Sequence, residues 1–375
     1  MGEIYLISPP LLTPYLIVWF LNFVNCQSVS VFPILTYFTP DLADPIVTFV
    51  QNLNEWGKRK IPFVFLVDYA ARKPIAWKFT DIDADNVQFN FRGYGNQPDC
   101  ASISPIHDFH FTKSPLGFRA YQEKFNYVVR NLKAGNSFLV NFSLETPIDT
   151  NLTLKNIFDY SDAPFRFWLK DQFVCFSPEI FVKIANRKIS SFPMKGTIDG
   201  SLPHASETIL ADPKESAEHA TIVDLIRNDL SMVAEKVWVE RYRYIDTIKT
   251  SEKTLLQVSS EVAGLLNDDF DGQFGDLLLK LLPAGSITGA PKPSTMRIIQ
   301  EAEGYDRGYY TGIMGYFDGE NFESAVMIRY IENQDGKLIF KSGGGITAQS
   351  DAQKEYQELI DKVYLPISHV AQPLH

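Results

Sequence analysis

Residues 137–192 hold four short runs dense in β-branched and aromatic side chains, at 137–145, 165–169, 173–176 and 181–192, and no other pattern limits the fold of this chain so much. Such a succession predicts a large, mainly antiparallel sheet with helices inserted, an α+β chain of mixed order. Upstream, 62–69 and 74–79 read as a hairpin joined around Arg72-Lys73, with 87–91 as a further strand. Asp44-Pro45 starts a helix by the N-cap and first-turn proline rule, with Ile46, Phe49, Val50 and Leu53 as its apolar stripe. Ser114-Pro115 opens a longer one, striped by Phe118, Tyr121, Phe125, Val128, Val129 and Leu132 and closed by Gly135. With no repeat or low-complexity linker, 1–112 reads as a short N-terminal portion of strands plus one helix, packed on a 113–375 portion in one compact unit.

The charge balance narrows the partners. A net charge of -10, with no basic run, gives no positive field for a phosphate backbone, which argues against nucleic acid. Cys26, Cys100 and Cys175 share no metal-ligand or redox spacing, and an odd count suits a reducing compartment, so the cytoplasm is expected. The apolar stretch from Ile4 to Val24 invites a signal or anchor reading. However, Lys58 is the first basic residue, and Pro9, Pro10 and Pro14 interrupt the run, so extended structure feeding the core is expected, without membrane association.

Two helices carry carboxylates inward. Asp212-Pro213-Lys214-Glu215 combines an N-cap, a first-turn proline and a capping-box acid. Ile222, Leu225, Ile226 and Val233 mark the buried face that follows, and Glu218 lies four residues before Ile222 on that face. A carboxylate there needs a partner, and His219, Arg227 and Asp229 are candidates. Ser350-Asp351-Ala352-Gln353 signals a second capping box, with Ala352, Tyr356, Leu359, Ile360 and Val363 as core stripe. Glu355, Glu358 and Lys362 line its edge, either as an ordinary surface ion pair or as two carboxylates and an ammonium presented to a pocket. Glu218 and Glu358 together would suit Mg²⁺, which is held by a few carboxylates, water and an anionic ligand.

Glycine-rich stretches add anion cradles. The loop from Pro283 to Lys292 is punctuated by Gly285 and Gly289 and runs into a helix over 294–300, and amides at such turns and helix starts bind carboxylate or phosphate. It lacks the Gly-x-x-x-x-Gly-Lys-Ser/Thr pattern of a nucleotide loop. Ser342-Gly343-Gly344-Gly345-Ile346 reads as a second such turn, where close approach to a ligand and a simple tight turn account equally for the glycines. Arg329, in the strand-like 325–329, offers a bidentate fork for a carboxylate. Lys195, in Ser191-Phe192-Pro193-Met194-Lys195-Gly196-Thr197, is expected where a strand leaves the sheet. An amine among apolar neighbours can become a nucleophile, while a solvated lysine in a Pro/Gly turn accounts for the same residues. Together these residues describe a pocket for a small dicarboxylate that chelates Mg²⁺.

The motifs Pro193-Met-Lys-Gly-Thr197, Lys214-Glu-Ser-Ala-Glu-His219, Ile222-Val-Asp-Leu-Ile-Arg-Asn-Asp229, Gly285-Ser-Ile-Thr-Gly-Ala-Pro-Lys292, Tyr310-Thr-Gly312, Ile328-Arg329, Gly343-Gly-Gly345 and Glu355-Tyr-Gln-Glu358 closely resemble, in order and spacing, the chorismate-utilising enzymes over about residues 115–366. Anthranilate and isochorismate synthases typically have alanine at the position of Lys195, and the lysine here is similar to component I of the aminodeoxychorismate synthases. The resemblance implies a sandwich of large antiparallel sheets flanked by helices. It implies Mg²⁺ held by Glu218 and Glu358 with Glu215 and Glu355 in support, and Arg329 and Tyr310 holding the enolpyruvyl carboxylate of chorismate. It adds Thr288, Gly344, Gly345 and Lys362 as contacts, Glu179 as general acid and Lys195 as covalent nucleophile in amination at C4 on the way to p-aminobenzoate and folate. A separate glutamine amidotransferase subunit supplying ammonia is the implied partner, with anthranilate synthase component I or a non-catalytic chorismate-binding subunit as alternatives. Leu139, where relatives carry glutamine or lysine, and Gln257, where many carry histidine, depart from the family pattern, and the N-terminal Leu-Leu-Glu-Ser element tied to tryptophan feedback is missing.

Overall fold

A computed structural model describes residues 45–97, 109–249 and 254–367 of the chain. The apolar stretch from Ile4 to Val24, Asp44, Cys26 and Cys100 lie outside the described residues. Eight α-helices are present among those described: α1 Pro45–Lys58, α2 Phe118–Lys133, α3 Leu154–Tyr160, α4 Ala205–Ala211, α5 Pro213–Ser231, α6 Phe274–Leu281, α7 Lys292–Glu303 and α8 Ala352–Asp361.

Among the described residues the strands form two nine-stranded antiparallel sheets. The first runs Met194–Asp199, Thr254–Leu266, Lys188–Ser191, Ile180–Ala185, Phe322–Val326, Ile313–Phe317, Phe63–Val67 and Ile75–Lys78, with Ala234–Lys249 also paired to Thr254–Leu266. The second is centred on the long pair Leu139–Thr150 and Lys337–Ile346 and continues through Tyr330–Gln334, Phe173–Ser177, Phe165–Leu169 and Val87–Phe91.

Alternation along the strands shows how the sheets pack. In Phe63–Val67, Val64 and Leu66 point into a core that also contains Phe89, Phe91, Phe165 and Phe167 of the second sheet. Phe63, Phe65 and Val67 point the other way, onto α1, α5 and α6. The period of two therefore places one face of each sheet against the other and leaves the outer faces for helices. On the second sheet α3 covers Trp168, Val174 and Phe176, while α2, α7 and α8 cover Val140, Phe142 and Ile346. The α+β sandwich expected from the sequence is the architecture observed.

Local expectations fare unevenly. The hairpin of 62–69 and 74–79 forms, and α5 is capped as expected, Asp212 accepting from the Glu215 amide at 3.0 Å. The second helix starts at Phe118 instead of Ser114, whose amide still pairs with the Pro147 carbonyl of the sheet. The run 181–192 splits into two strands at Asn186 and Arg187, both left-handed, and α8 is capped by Asp351 in place of Ser350. Val233 lies beyond the end of α5. Gly343-Gly344-Gly345 belongs to the strand Lys337–Ile346 and is no turn, and Arg329 sits outside any strand at φ 54°.

Candidate active site

Lys195 lies inside the strand Met194–Asp199, not at its exit, where the pairing with Thr254–Leu266 shifts register between Lys195 and Thr197. This bulge, with Gly196 at φ 77°, re-aims the lysine. α5 packs against the strand, so the Glu218 carboxylate (Oε2) stands 3.7 Å from Lys195 Nζ. The apolar pocket expected for the amine is therefore partly an acidic one. Glu215, one turn earlier, lies over Gly196, its Oε2 3.2 Å from the position a Cβ there would take.

The second wall is Gly344-Gly345 and α8. A Cβ on Gly344 would sit 3.5 Å from Lys362 Nζ, 3.7 Å from Glu355 Oε2 and 3.9 Å from Glu358 Oε1. One on Gly345 would sit 3.3 Å from Lys195 Nζ and 3.2 Å from Leu139 Cδ1. Gly344 thus adjoins the α8 acids and Lys362, while Gly345 adjoins Lys195, whose charge is felt at Lys362. Lys362 pairs with Glu358 at 2.6 Å and donates to the Gly343 carbonyl at 2.9 Å. Burial draws its pKa below the ordinary lysine value, against the pull of Glu358.

Glu179 immediately precedes the strand Ile180–Ala185 and accepts from the Ser286 hydroxyl at 3.2 Å. Burial raises its pKa above the usual carboxylate value, while the Ser286 hydrogen bond and the charges of Lys195, Lys362 and Arg329 oppose the rise. A raised carboxyl pKa extends the pH range in which the group can give a proton. A small cavity is lined by Glu179, Ser286, Asp229, Ser191, Phe192 and Pro193 among others.

Arg329 extends over Tyr364, 5.4 Å from the ring centre, and its Nε is buried without a hydrogen-bond partner. Tyr310 is buried, which raises its phenol pKa, and it lies in the fields of both Arg329 and Glu179. Thr288 is fully buried; its carbonyl accepts from the Asn141 amide, and its hydroxyl, near Tyr69, has no hydrogen-bond partner. Gln257 reaches Thr197 at 3.4 Å.

Three supporting residues carry contacts that the sequence reading does not assign to them. Ser286 meets Glu179 across 107 positions, and Asp229 meets Lys292 and the Gly285 amide. Arg307, only 2% exposed, pairs with Glu303 and donates to the carbonyls of Ile287 and Asn141 and to the Thr311 hydroxyl. It thereby ties the Thr288 loop to the second sheet and to the turn bearing Tyr310.

Among the described residues, no three carboxylate, imidazole or thiol side chains converge into a complete metal cage. The α8 acids Glu355 and Glu358 are hard oxygen donors beside Gly344, where a Cβ would begin to fill the space, and the α5 acids Glu215 and Glu218 stand beside Gly196 and Lys195. Such an incomplete set suits Mg²⁺, which keeps water and takes ligand oxygens.

A family model described as chorismate binding enzyme matches residues 80–368. The chain is 50% identical over 320 residues to an uncharacterised PabA-like protein of Haemophilus influenzae, covering 85% of this chain and 96% of that one. It is 33% identical over 247 residues to anthranilate synthase component 1 of Arthrobacter globiformis, covering 61% of this chain and 45% of that one. The solved menaquinone-specific isochorismate synthase of Escherichia coli superposes with a TM-score of 0.64 at 14% identity, covering 84% of this chain and 80% of that one, a likeness of fold.

Proposed function

The chain belongs to the chorismate binding enzyme family, and on that premise we propose that it replaces the 4-hydroxyl of chorismate with an amine, as component I of an aminodeoxychorismate synthase. The observation that carries this reading is the position of Lys195, whose amine reaches Glu218 and Gly345 and lies in the field of Glu179. The PabA-like name of a relative is in keeping with it.

In this reading Arg329 and Tyr310 hold the enolpyruvyl carboxylate. Gly344 and Gly345 leave room for the ring, Lys362 adds a positive charge, and the Thr288 hydroxyl is a further contact. Mg²⁺, held by Glu218 and Glu358 with Glu215 and Glu355 in support, supplies positive charge for the ring carboxylate when bound. Glu179 gives its proton to the C4 oxygen, which leaves as water. Lys195, as the free amine, forms a bond from Nζ to C2 while the ring double bonds shift. Ammonia then bonds to C4, the double bonds shift back, and the C2–Nζ bond breaks to free the lysine. The product, 4-amino-4-deoxychorismate, keeps its enolpyruvyl group, and two easier displacements replace one hard substitution. Ammonia is supplied by a glutamine amidotransferase subunit, and a separate lyase makes p-aminobenzoate for folate synthesis.

Incubation with chorismate, Mg²⁺ and ammonium tests the proposal. A product that an added lyase converts to p-aminobenzoate supports it. Anthranilate with released pyruvate would instead establish the second reading, anthranilate synthase component I, which the relative from Arthrobacter globiformis motivates.

A further inference from the structure

Glu179 lies at a loop whose position is governed from α5. The Gly285–Ile287 turn is a single 3-10 turn, closed by the Thr288 amide on the Gly285 carbonyl at 3.3 Å. Asp229, near the end of α5 and 6% exposed, grips both ends of the surrounding segment. Its Oδ2 accepts from the Gly285 amide at 3.1 Å, and its Oδ1 stands 2.8 Å from the ammonium of Lys292, the first residue of α7. Lys292 in turn donates to the Leu281 carbonyl at 3.1 Å. Ser286, next to the anchored Gly285, meets Glu179 at 3.2 Å, long enough that a shift of a few tenths of an ångström would lose the hydrogen bond. Asp229, Gly285, Ser286 and Glu179 line the same cavity.

A buried ion pair is a poor source of net stability, since apolar residues of similar volume often serve as well. Its geometry is what this one contributes. We propose that Asp229 is a positioning residue of the site: through Gly285 and Lys292 it fixes the turn from which Ser286 hydrogen-bonds Glu179. The proposal rests on the reading of Glu179 as the acid for departure of the C4 hydroxyl, a step shared by amination at C4 and by anthranilate formation. Product identity therefore tests the proposed function, and the rate of chorismate loss tests the inference.

The groups acting on Glu179 from neighbouring elements are Lys195, Lys362, Arg329 and Tyr310, besides Ser286. The Ser286 hydrogen bond favours the carboxylate, so its loss raises the pKa of Glu179 and moves the alkaline limb of the pH–rate profile upward. In Asp229→Asn the maximal rate of chorismate loss is expected to fall about tenfold, with KM within about threefold and the alkaline limb shifted up. Ser286→Ala should shift the same limb, and adding Asp229→Asn to it should change little more. Asp229→Leu with Lys292→Met removes both charges and the acceptor together, which guards against a folding failure of the single variant, and it should show the same limb shift. An unchanged rate and pH profile in either folded Asp229 variant, or independent multiplicative losses in Asp229→Asn with Ser286→Ala, would overturn the proposal.

Discussion

The glycines of the 283–291 loop and those of the strand Lys337–Ile346 look alike in sequence and serve different ends. Gly289 is needed for the backbone: its φ is 118°, and a Cβ would fall 1.8 Å from the Leu139 carbonyl oxygen, where the loop pairs with the second sheet. Gly344 and Gly345 are extended residues in a continuous ladder with Phe142 and Asn141, and a side chain there would meet the ends of other side chains, including Lys195, Glu355, Glu358 and Lys362. The loop glycine allows the fold to close, and the strand glycines keep the pocket open. Replacing each should separate stability from activity.

Gly289→Ala should have the largest effect, a loss of about 3 kcal/mol or more of unfolding free energy from backbone clash and strain, read by urea denaturation or as insoluble protein. Gly345→Ala should leave unfolding within about 1 kcal/mol of the parent, because the backbone is extended and the added methyl meets only the ends of the Lys195 and Leu139 side chains, yet turnover of chorismate should fall about tenfold to a hundredfold as the amine is displaced. If Gly345→Ala instead unfolds the protein while Gly289→Ala leaves it stable, the distinction between the two stretches is wrong. Gly344→Ala should be mildest, since its neighbours stand at ordinary contact distances: chorismate binding in the presence of Mg²⁺ weakens by about threefold, measured by calorimetry.

The same pair of regions explains what could be read from sequence. Glycine is poor in strands and common in turns, so Gly343-Gly344-Gly345 reads as a turn on local grounds, and only the ladder with Leu139–Thr150 makes it a strand. Glu218, by contrast, is legible, because the Asp212 cap and the stripe of Ile222, Leu225 and Ile226 set the helical phase that places it inward. The sandwich is legible too, from the short apolar runs. Ser286 and Asp229 are not, for their partners lie 107 and 56 positions away and no local periodicity links them. The environment of Lys195 falls between: Pro193, Met194 and Gly196 suggest an apolar turn, whereas packing of α5 brings in Glu218.

The central claim is that Lys195 bonds to the ring. The most direct measurement is intact-mass and peptide mass spectrometry of the protein quenched with chorismate and Mg²⁺ in the absence of ammonia. The account predicts an adduct of chorismate less one water on the peptide bearing Lys195, lost when ammonium is added and absent in Lys195→Ala. Amination at the parent rate by Lys195→Ala, with no adduct on Lys195 in the parent, would contradict it.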